Sequence, residues 1–149
     1  MTEFGFYHLK TWPLERALPR LLERALAEGH RIVVMAGSDE RVLSLDALLW
    51  TYDEASFLPH GTARDGPPAR QPVLLTTLDE NPNAATMLIL VDGVRSDRGH
   101  DFRRVCDMFD GNDESAVVAA RERWRVAKDA GHELVYWQQT ETGWTKRAS

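Results

Sequence analysis

The residues best suited to binding chemistry lie in the last third of the chain, in an arginine-rich segment that contains one tryptophan. On an ideal α-helix each residue advances by about 100°, which brings Arg121, Arg125 and Lys128 within roughly 60° of one another. Trp124 lies at the edge of this group. A charge run alone is typical of a solvated face, but arginines beside a large aromatic are typical of interfaces. This face therefore predicts a docking surface for an anionic and partly apolar ligand.

Small residues of the same segment predict which face packs on the core. Ala116, Ala119, Ala127 and Ala130 fall opposite the three cations on a helical projection. We therefore expect a helix over residues 113–130 whose alanine face is buried. The cations and Trp124 are expected to lie off that buried face.

Composition limits the classes of partner. Lysine and arginine total 18, whereas aspartate and glutamate total 23, which gives a formal net charge of −5. This balance argues against broad, non-specific binding to nucleic acid, because such binding needs a basic field over much of the surface. A small basic patch on an acidic protein instead predicts a compact acidic partner.

The remaining composition predicts a cytoplasmic protein with one domain over residues 1–149. That length is enough for a sizeable core. One cysteine, Cys106, excludes an internal disulfide and fits a reducing compartment. We expect no signal peptide, because a basic segment followed by an apolar one is missing at the start. No apolar run approaches the length of a membrane span.

Alternation of strand-like and helix-like segments predicts the fold class. The central strand-like runs are continuously apolar, which is typical of buried parallel strands. The pattern favours a three-layer α/β/α domain with a largely parallel central sheet. Strands are predicted at 3–9, 31–36, 73–77, 87–91 and 133–138; helices at 13–29, 39–50 after an N-cap at Ser38, 102–109 and 113–130; a long loop at 51–72; and a turn at 142–143 before a tail.

An enzymatic alternative depends on Asp92, which ends the apolar run 88–91 as an aspartate does in the Mg²⁺-binding strand of nucleotide hydrolases. Such an enzyme also needs a glycine-rich loop with a lysine to hold phosphates. The turn that follows the second predicted strand begins at Ala36 and lacks both that glycine spacing and the lysine. The GxGxxG motif does not occur in the sequence. We therefore predict that Asp92 is a turn or cap residue before Gly93, with no nucleotide cofactor.

Metal and nucleophile motifs are also missing from the sequence. Its five histidines are scattered, with no pair at metal-ligand spacing on one element. Cys106 is predicted to lie in the 102–109 helix as a small core residue. No GxSxG motif is present. The sequence predicts neither a metal site nor a catalytic site.

Several motifs, in order, resemble the chi subunit of bacterial DNA polymerase III holoenzyme. The likeness extends from the first predicted strand almost to the C-terminus, where Trp144 stands. The segments that carry it are Phe6-Tyr7-His8-Leu9, Leu49-Trp50, Ser56-Phe57-Leu58-Pro59-His60 and Ala120-Arg121-Glu122-Arg123-Trp124-Arg125.

This resemblance implies a non-catalytic accessory subunit associated with the clamp loader. The fold would be Rossmann-like or helicase-like without its nucleotide site. One surface would bind the acidic C-terminal tail of single-stranded DNA-binding protein, and so associate indirectly with single-stranded DNA. A second surface would dock the psi subunit, where the organism has one, and a helicase-like repair protein could use that same surface. Carried over by position, the tail-binding residues are Arg121, Trp124, Arg125 and Lys128, and the psi-docking residues are Trp50 and Phe57.

One residue departs from the resemblance, and three others leave its details open. Val117 stands one turn upstream, where the family's basic face is expected to continue, so the patch is expected to be smaller. Trp50 could equally be a core residue that ends its helix. The roles of Arg64 and Arg70 in the 61–72 loop stay open.

Two other functions compete with the adaptor function. In the first, the chain binds single-stranded nucleic acid directly, with Trp124 stacking on a base and the arginines contacting phosphates. In the second, it is a nucleotide-dependent enzyme that uses the strand ends near Asp92. The short patch and the acidic net charge disfavour the first, and no motif supports the second.

Overall fold

A computed structural model of the chain describes residues 2–53, 58–141 and 143–148. It contains a seven-stranded sheet, three α-helices and two short 3₁₀ turns. The strands are β1 (Glu3–Leu9), β2 (Ile32–Met35), β3 (Val73–Thr76), β4 (Met87–Leu90), β5 (Arg104–Asp110), β6 (Glu133–Gln139) and β7 (Trp144–Ala148); the helices are α1 (Leu14–Ala27), α2 (Asp39–Thr51) and α3 (Glu114–Asp129); the 3₁₀ turns are Pro68–Arg70 and Gly99–Asp101.

The strand order is β3-β2-β4-β5-β1-β6-β7. Strands β1 to β6 pair in parallel, and β7 pairs antiparallel with β6. Helices α1 and α2 contribute to the core on one face, whereas α3 packs against β1, β5 and β6 on the other. The predicted three-layer α/β/α class with a largely parallel sheet is confirmed.

Strand β5 shows how the sheet separates the two cores. Cys106 and Met108 belong to the core beneath α1 and α2. Phe109 belongs to the core beneath α3, and Asp107 points to the same side because side chains alternate along a strand. Burial on both faces explains why β5 can lie near the centre of the sheet.

The predicted helix at 102–109 is wrong, because this segment forms β5. Its apolar residues fit a helical repeat as well as a strand alternation, and pairing with β4 on one side and β1 on the other decides between them. Cys106 therefore lies in a strand, although the prediction that it is a core residue is confirmed. Burial raises the pKa of its thiol to about 11.

The segment after Gly143, predicted as a tail, forms the edge strand β7. The Thr140 backbone N–H donates to the Gly143 carbonyl at 2.7 Å and closes the connection from β6. One residue of the predicted turn, Thr142, lies outside the described residues. The strand was missed because Thr145, Lys146 and Arg147 are exposed and polar, as is common on sheet edges.

Side chains cap two of the helices as their sequences require. The Ser38 hydroxyl accepts from the Arg41 backbone N–H at 3.1 Å, which confirms the predicted N-cap of α2. Asp113 caps α3 by accepting from the backbone N–H groups of Ser115 and Ala116. Within the described part of the chain, no helix is long and apolar enough to cross a membrane.

The buried face of α3 differs from the alanine face predicted above. Its buried residues are Ala120, Arg123 and Ala127, whereas Ala119 and Ala130 are exposed and Ala116 is half-buried. Arg123 can lie inside because Asp107 receives its guanidinium in two hydrogen bonds, at 2.6 Å from Nε and 3.0 Å from Nη2. Their side chains are only 8% and 4% exposed. A buried arginine is therefore the anchor of the helix.

We expect Arg123→Ala to lower the free energy of unfolding by about 3–5 kcal/mol, because it leaves the Asp107 carboxylate buried without a partner. Replacing both members by leucine should recover most of that loss. Urea denaturation followed by circular dichroism measures the effect. Arg125→Ala, on the exposed face of the same helix, is the matched control and should change stability by less than about 0.5 kcal/mol. Equal losses in the two single variants would contradict the anchoring role.

Candidate functional site

The cationic face predicted on α3 is present in the structure. Arg121, Arg125 and Lys128 are all exposed. The Arg125 guanidinium lies 3.3 Å from Glu122 and stays 71% exposed, so this pair restrains it only weakly. Within the described residues, neither Arg121 nor Lys128 forms an ion pair. The cations are therefore accessible to an external anion.

Trp124 lies between these cations and the core. Its ring meets Phe6 edge-on at 5.4 Å and Tyr136 at 5.8 Å between centroids. The indole is half-buried, so the prediction that it lies wholly off the buried face is wrong. Arg123 points into the core. Because each residue of a helix advances by about 100°, the next side chain, that of Trp124, lies at the boundary between core and solvent.

A small hollow opens beside Trp124, with a volume of about 230 Å³. Apolar side chains form most of its wall, and Arg121 stands at its side. The lining residues are Phe109, Val117, Ala120, Arg121, Trp124 and Tyr136. Val117, noted in the sequence as a missing cation, thus supplies an apolar wall one turn before Arg121. The arrangement offers an apolar cavity next to a guanidinium.

The floor of the hollow is uncharged near neutral pH. Burial raises the pKa of the Tyr136 phenol and lowers the pKa of His8 beneath it. His8 Nδ1 and the Tyr136 hydroxyl lie 2.5 Å apart, and the His8 ring packs against Phe109 at 5.2 Å. Among the residues described as lining the hollow, the cation is therefore Arg121 on α3. Sequence reasoning missed Phe109 and Tyr136, whose only signal is that they are aromatic residues on strands.

A second surface lies on the outer side of α2. Trp50 is 59% exposed and Leu43 is 45% exposed, with exposed Ala47 between them at the spacing of one helical face. The interpretation of Trp50 as a core residue is therefore wrong. Its indole packs on the His60 ring at 4.9 Å, and His60 Nε2 lies 3.0 Å from Asp46 Oδ1. Phe57, predicted for the same surface, lies outside the described residues.

A larger cleft of about 770 Å³ lies at the carboxyl ends of the strands, between the starts of α1 and α3. In α/β folds this position commonly takes a nucleotide. Here Asp92 has a φ of 60° in the turn before Gly93, accepts the Gly37 backbone N–H at 3.3 Å and pairs with Arg41 at 3.1 Å. The prediction that Asp92 is a turn residue is confirmed.

Two of the cations that line this cleft are paired with the chain's own carboxylates. Arg41 also contacts Glu15, and Arg123 is bound to Asp107. Asp113 occupies the N-terminus of α3, where a phosphate would otherwise bind. No three histidine, cysteine or acidic side chains of the described residues are grouped to hold a metal ion.

One solved structure is distantly similar to this chain. The C-terminal domain of the DEAD-box protein Dbp5 aligns over 91% of this chain and 74% of that domain, with 14% identity and a TM-score of 0.32. A likeness of this size carries no argument about function.

Comparison with known sequences gives a specific result. The DNA polymerase III subunit chi of Escherichia coli is 28% identical over 71% of this chain and 72% of its own length, and that of Pseudomonas aeruginosa is 26% identical over 90% and 94%. The probable subunit chi of Rickettsia prowazekii is 32% identical over 61% of this chain, a match that spans only 55% of that relative. The family model described as DNA polymerase III chi subunit, HolC, matches residues 1–135. The chain therefore belongs to the DNA polymerase III chi subunit family, whose members are accessory subunits of the replicative polymerase.

Proposed function

We propose that the α3 face binds the acidic C-terminal tail of single-stranded DNA-binding protein. The observation that carries this proposal is the apolar hollow beside Trp124 with accessible cations along its border. By the family resemblance, such a tail is rich in aspartate and ends in proline, phenylalanine and a carboxylate. An aromatic ring, an α-carboxylate and flanking acids are what this surface complements.

Each residue of the surface has a role in the proposed complex. Arg121 lines the hollow. Its guanidinium donates two hydrogen bonds to the terminal carboxylate when the phenylalanine ring occupies the hollow. Trp124 and Tyr136 wall the ring from two sides. Arg125 and Lys128, further along the exposed face, attract the preceding aspartates.

The contacts favour weak and salt-sensitive binding. The cations are exposed, and exposed charge pairs contribute about 0.2–1 kcal/mol each and are screened over about 8–10 Å. Only one ring is buried. We therefore expect micromolar affinity, which suits a tether that must release repeatedly.

Trp124→Ala and Arg125→Ala should each weaken binding of the tail peptide by about 1–2 kcal/mol, because each removes an anchor of the interface. Isothermal titration of a peptide ending in Pro-Phe measures this, and the same peptide without its last phenylalanine should not bind. Arg98→Ala, which removes one exposed arginine outside α3, is the matched control and should leave the affinity unchanged.

The competing nucleic-acid function makes the opposite prediction for these variants. If α3 stacked on bases, Trp124→Ala would weaken binding to oligo-dT and spare the peptide. That outcome would overturn the assignment of this surface.

We further propose that the outer face of α2 docks the psi subunit and so links the chain to the clamp loader. Its exposed stripe of Leu43, Ala47 and Trp50 is the kind of apolar face that a partner covers. Phe57 stays a predicted member of the same surface. A helicase-like repair protein could use this face in place of psi.

Trp50→Ala should abolish co-purification with psi and leave tail-peptide affinity unchanged, because α2 and α3 lie on opposite faces of the sheet. Pull-down with co-expressed psi, together with peptide titration, gives both readouts. Leu78→Ala removes an equally exposed apolar side chain elsewhere and serves as the control. Loss of peptide binding together with psi would mean that the two surfaces are misassigned.

The proposed subunit is non-catalytic and acts in the cytoplasm with the replicative polymerase. The strand-end cleft supports this, because two of its cations, Arg41 and Arg123, are already paired with the chain's own carboxylates. A nucleotide would have to break those pairs to gain any contact with them.

We expect Mg²⁺ with ATP to leave the thermal midpoint of the chain unchanged. A ligand present at 100 times its Kd stabilises the folded state by about 2.7 kcal/mol, which a thermal shift assay detects readily. The Arg41→Ala variant lacks one cation of the cleft, and its thermal midpoint should likewise not change when the nucleotide is added. A midpoint raised by ATP in the wild type and not in Arg41→Ala would show that a nucleotide site exists.

A further inference from the structure

A second set of cations lies on α1, on the opposite side of the sheet from α3. Arg16, Arg20 and Arg24 are all exposed and repeat at intervals of four residues. At a rise of 1.5 Å per residue they stand about 6 Å apart along the helix axis and span about 12 Å. We refer to these three residues as the α1 arginine row.

The acidic residues of α1 bond to side chains outside this row. Glu15 receives the guanidinium of Arg41 on α2, and Glu23 accepts the hydroxyl of Tyr52 just beyond α2. Within the described residues, no carboxylate pairs with any member of the α1 arginine row. Ion pairs within the described residues therefore do not neutralise these three guanidinium groups, although the whole protein is acidic.

Trp12 fixes the first part of the row in place. The Arg16 guanidinium carbon lies 4.1 Å from the centre of the Trp12 ring, and that of Arg20 lies 5.0 Å from it. The loop carrying Trp12 is itself held, because Gln139 Oε1 accepts the backbone N–H groups of Lys10 and Trp12 at 3.1 and 2.8 Å. Guanidinium groups stacked on an indole are preorganised and keep their N–H edges available for an anion.

We propose that the α1 arginine row, with Trp12, binds the phosphate backbone of single-stranded nucleic acid. Evenly spaced cations complement a polymer that carries one charge per repeat, whereas an acidic peptide needs its acids in matching register. Among the described residues, the hollow that suits a peptide's terminal ring lies on α3 and not beside this row.

Three phosphate contacts make a weak, salt-sensitive site. For single strands the slope of log affinity against log salt is about −0.7 per phosphate neutralised, so the row should contribute a slope of about −2. When the α3 face is held on a tail of DNA-bound protein, the local concentration of strand rises and this contact gains occupancy. That last consequence depends on the proposed tail binding; the site itself does not.

Fluorescence anisotropy of a labelled oligo-dT at low salt tests the proposal. The triple variant Arg16→Ala, Arg20→Ala, Arg24→Ala should bind at least tenfold more weakly, with a salt slope reduced by about two. The matched control, Arg64→Ala, Arg95→Ala, Arg98→Ala, removes three exposed arginines elsewhere and the same total charge, and its affinity should stay within twofold of wild type. Lysine at the three row positions should restore most of the affinity and the slope.

Each alternative outcome overturns the proposal. Equal losses in the triple variant and the control would show only a general field effect, and an unchanged triple variant would show that the strand binds elsewhere. If an acidic peptide without aromatic residues displaces the oligonucleotide and binds the row more tightly, the occupant is a protein. The Trp124→Ala variant should bind oligo-dT as tightly as the wild type. A failure of the proposal for the α1 arginine row can therefore be distinguished from a failure of the tail-binding proposal.

Discussion

The arrangement of the α3 surface depends on one buried ion pair. Asp107, on a strand near the centre of the sheet, can be ionised inside the protein only because Arg123 meets it with two hydrogen bonds. That pair sets the rotation of α3 about its own axis. With Arg123 directed inward, helix geometry places Trp124 at the edge of the core and Arg121 and Arg125 outside it. Arg123 therefore determines which residues of α3 face the solvent, although it is not itself part of the exposed surface.

The layer structure keeps the proposed surfaces apart. Helix α3 covers one face of the sheet, and α1 and α2 cover the other. A ligand on α3 and a partner on α2 are thus separated by the full thickness of the sheet, so neither blocks the other. An adaptor that must hold two proteins at once requires this separation. In the strand-end cleft, Arg41 is already paired with Glu15 and Asp92.

Sequence patterns predicted most of the sheet and the cations, but not the hollow. Apolar strands and capped helices are local signals, so β2, β4 and α2 were predicted close to their true bounds. Strand β5 was mistaken for a helix because its strand identity comes from neighbours distant in sequence. The alanine face of α3 was wrong because nothing local marks Arg123 as the partner of Asp107. Phe109 and Tyr136 meet Trp124 only after the chain folds, and so no spacing rule could have found them.

Charge segregation explains how an acidic protein can carry the proposed cationic binding surfaces. The net charge of −5 would repel a polyanion approaching from afar. At physiological salt, however, exposed charges are screened beyond about 8 Å, and a ligand in contact responds mainly to its immediate neighbours. On α1 the glutamates turn toward Arg41 and Tyr52, and on α3 an arginine turns inward to Asp107. Both helices thus present cations with few opposing carboxylates, while the remaining acids keep general attraction to nucleic acid low. Local attraction within a repulsive field favours contacts that are selective and easily released.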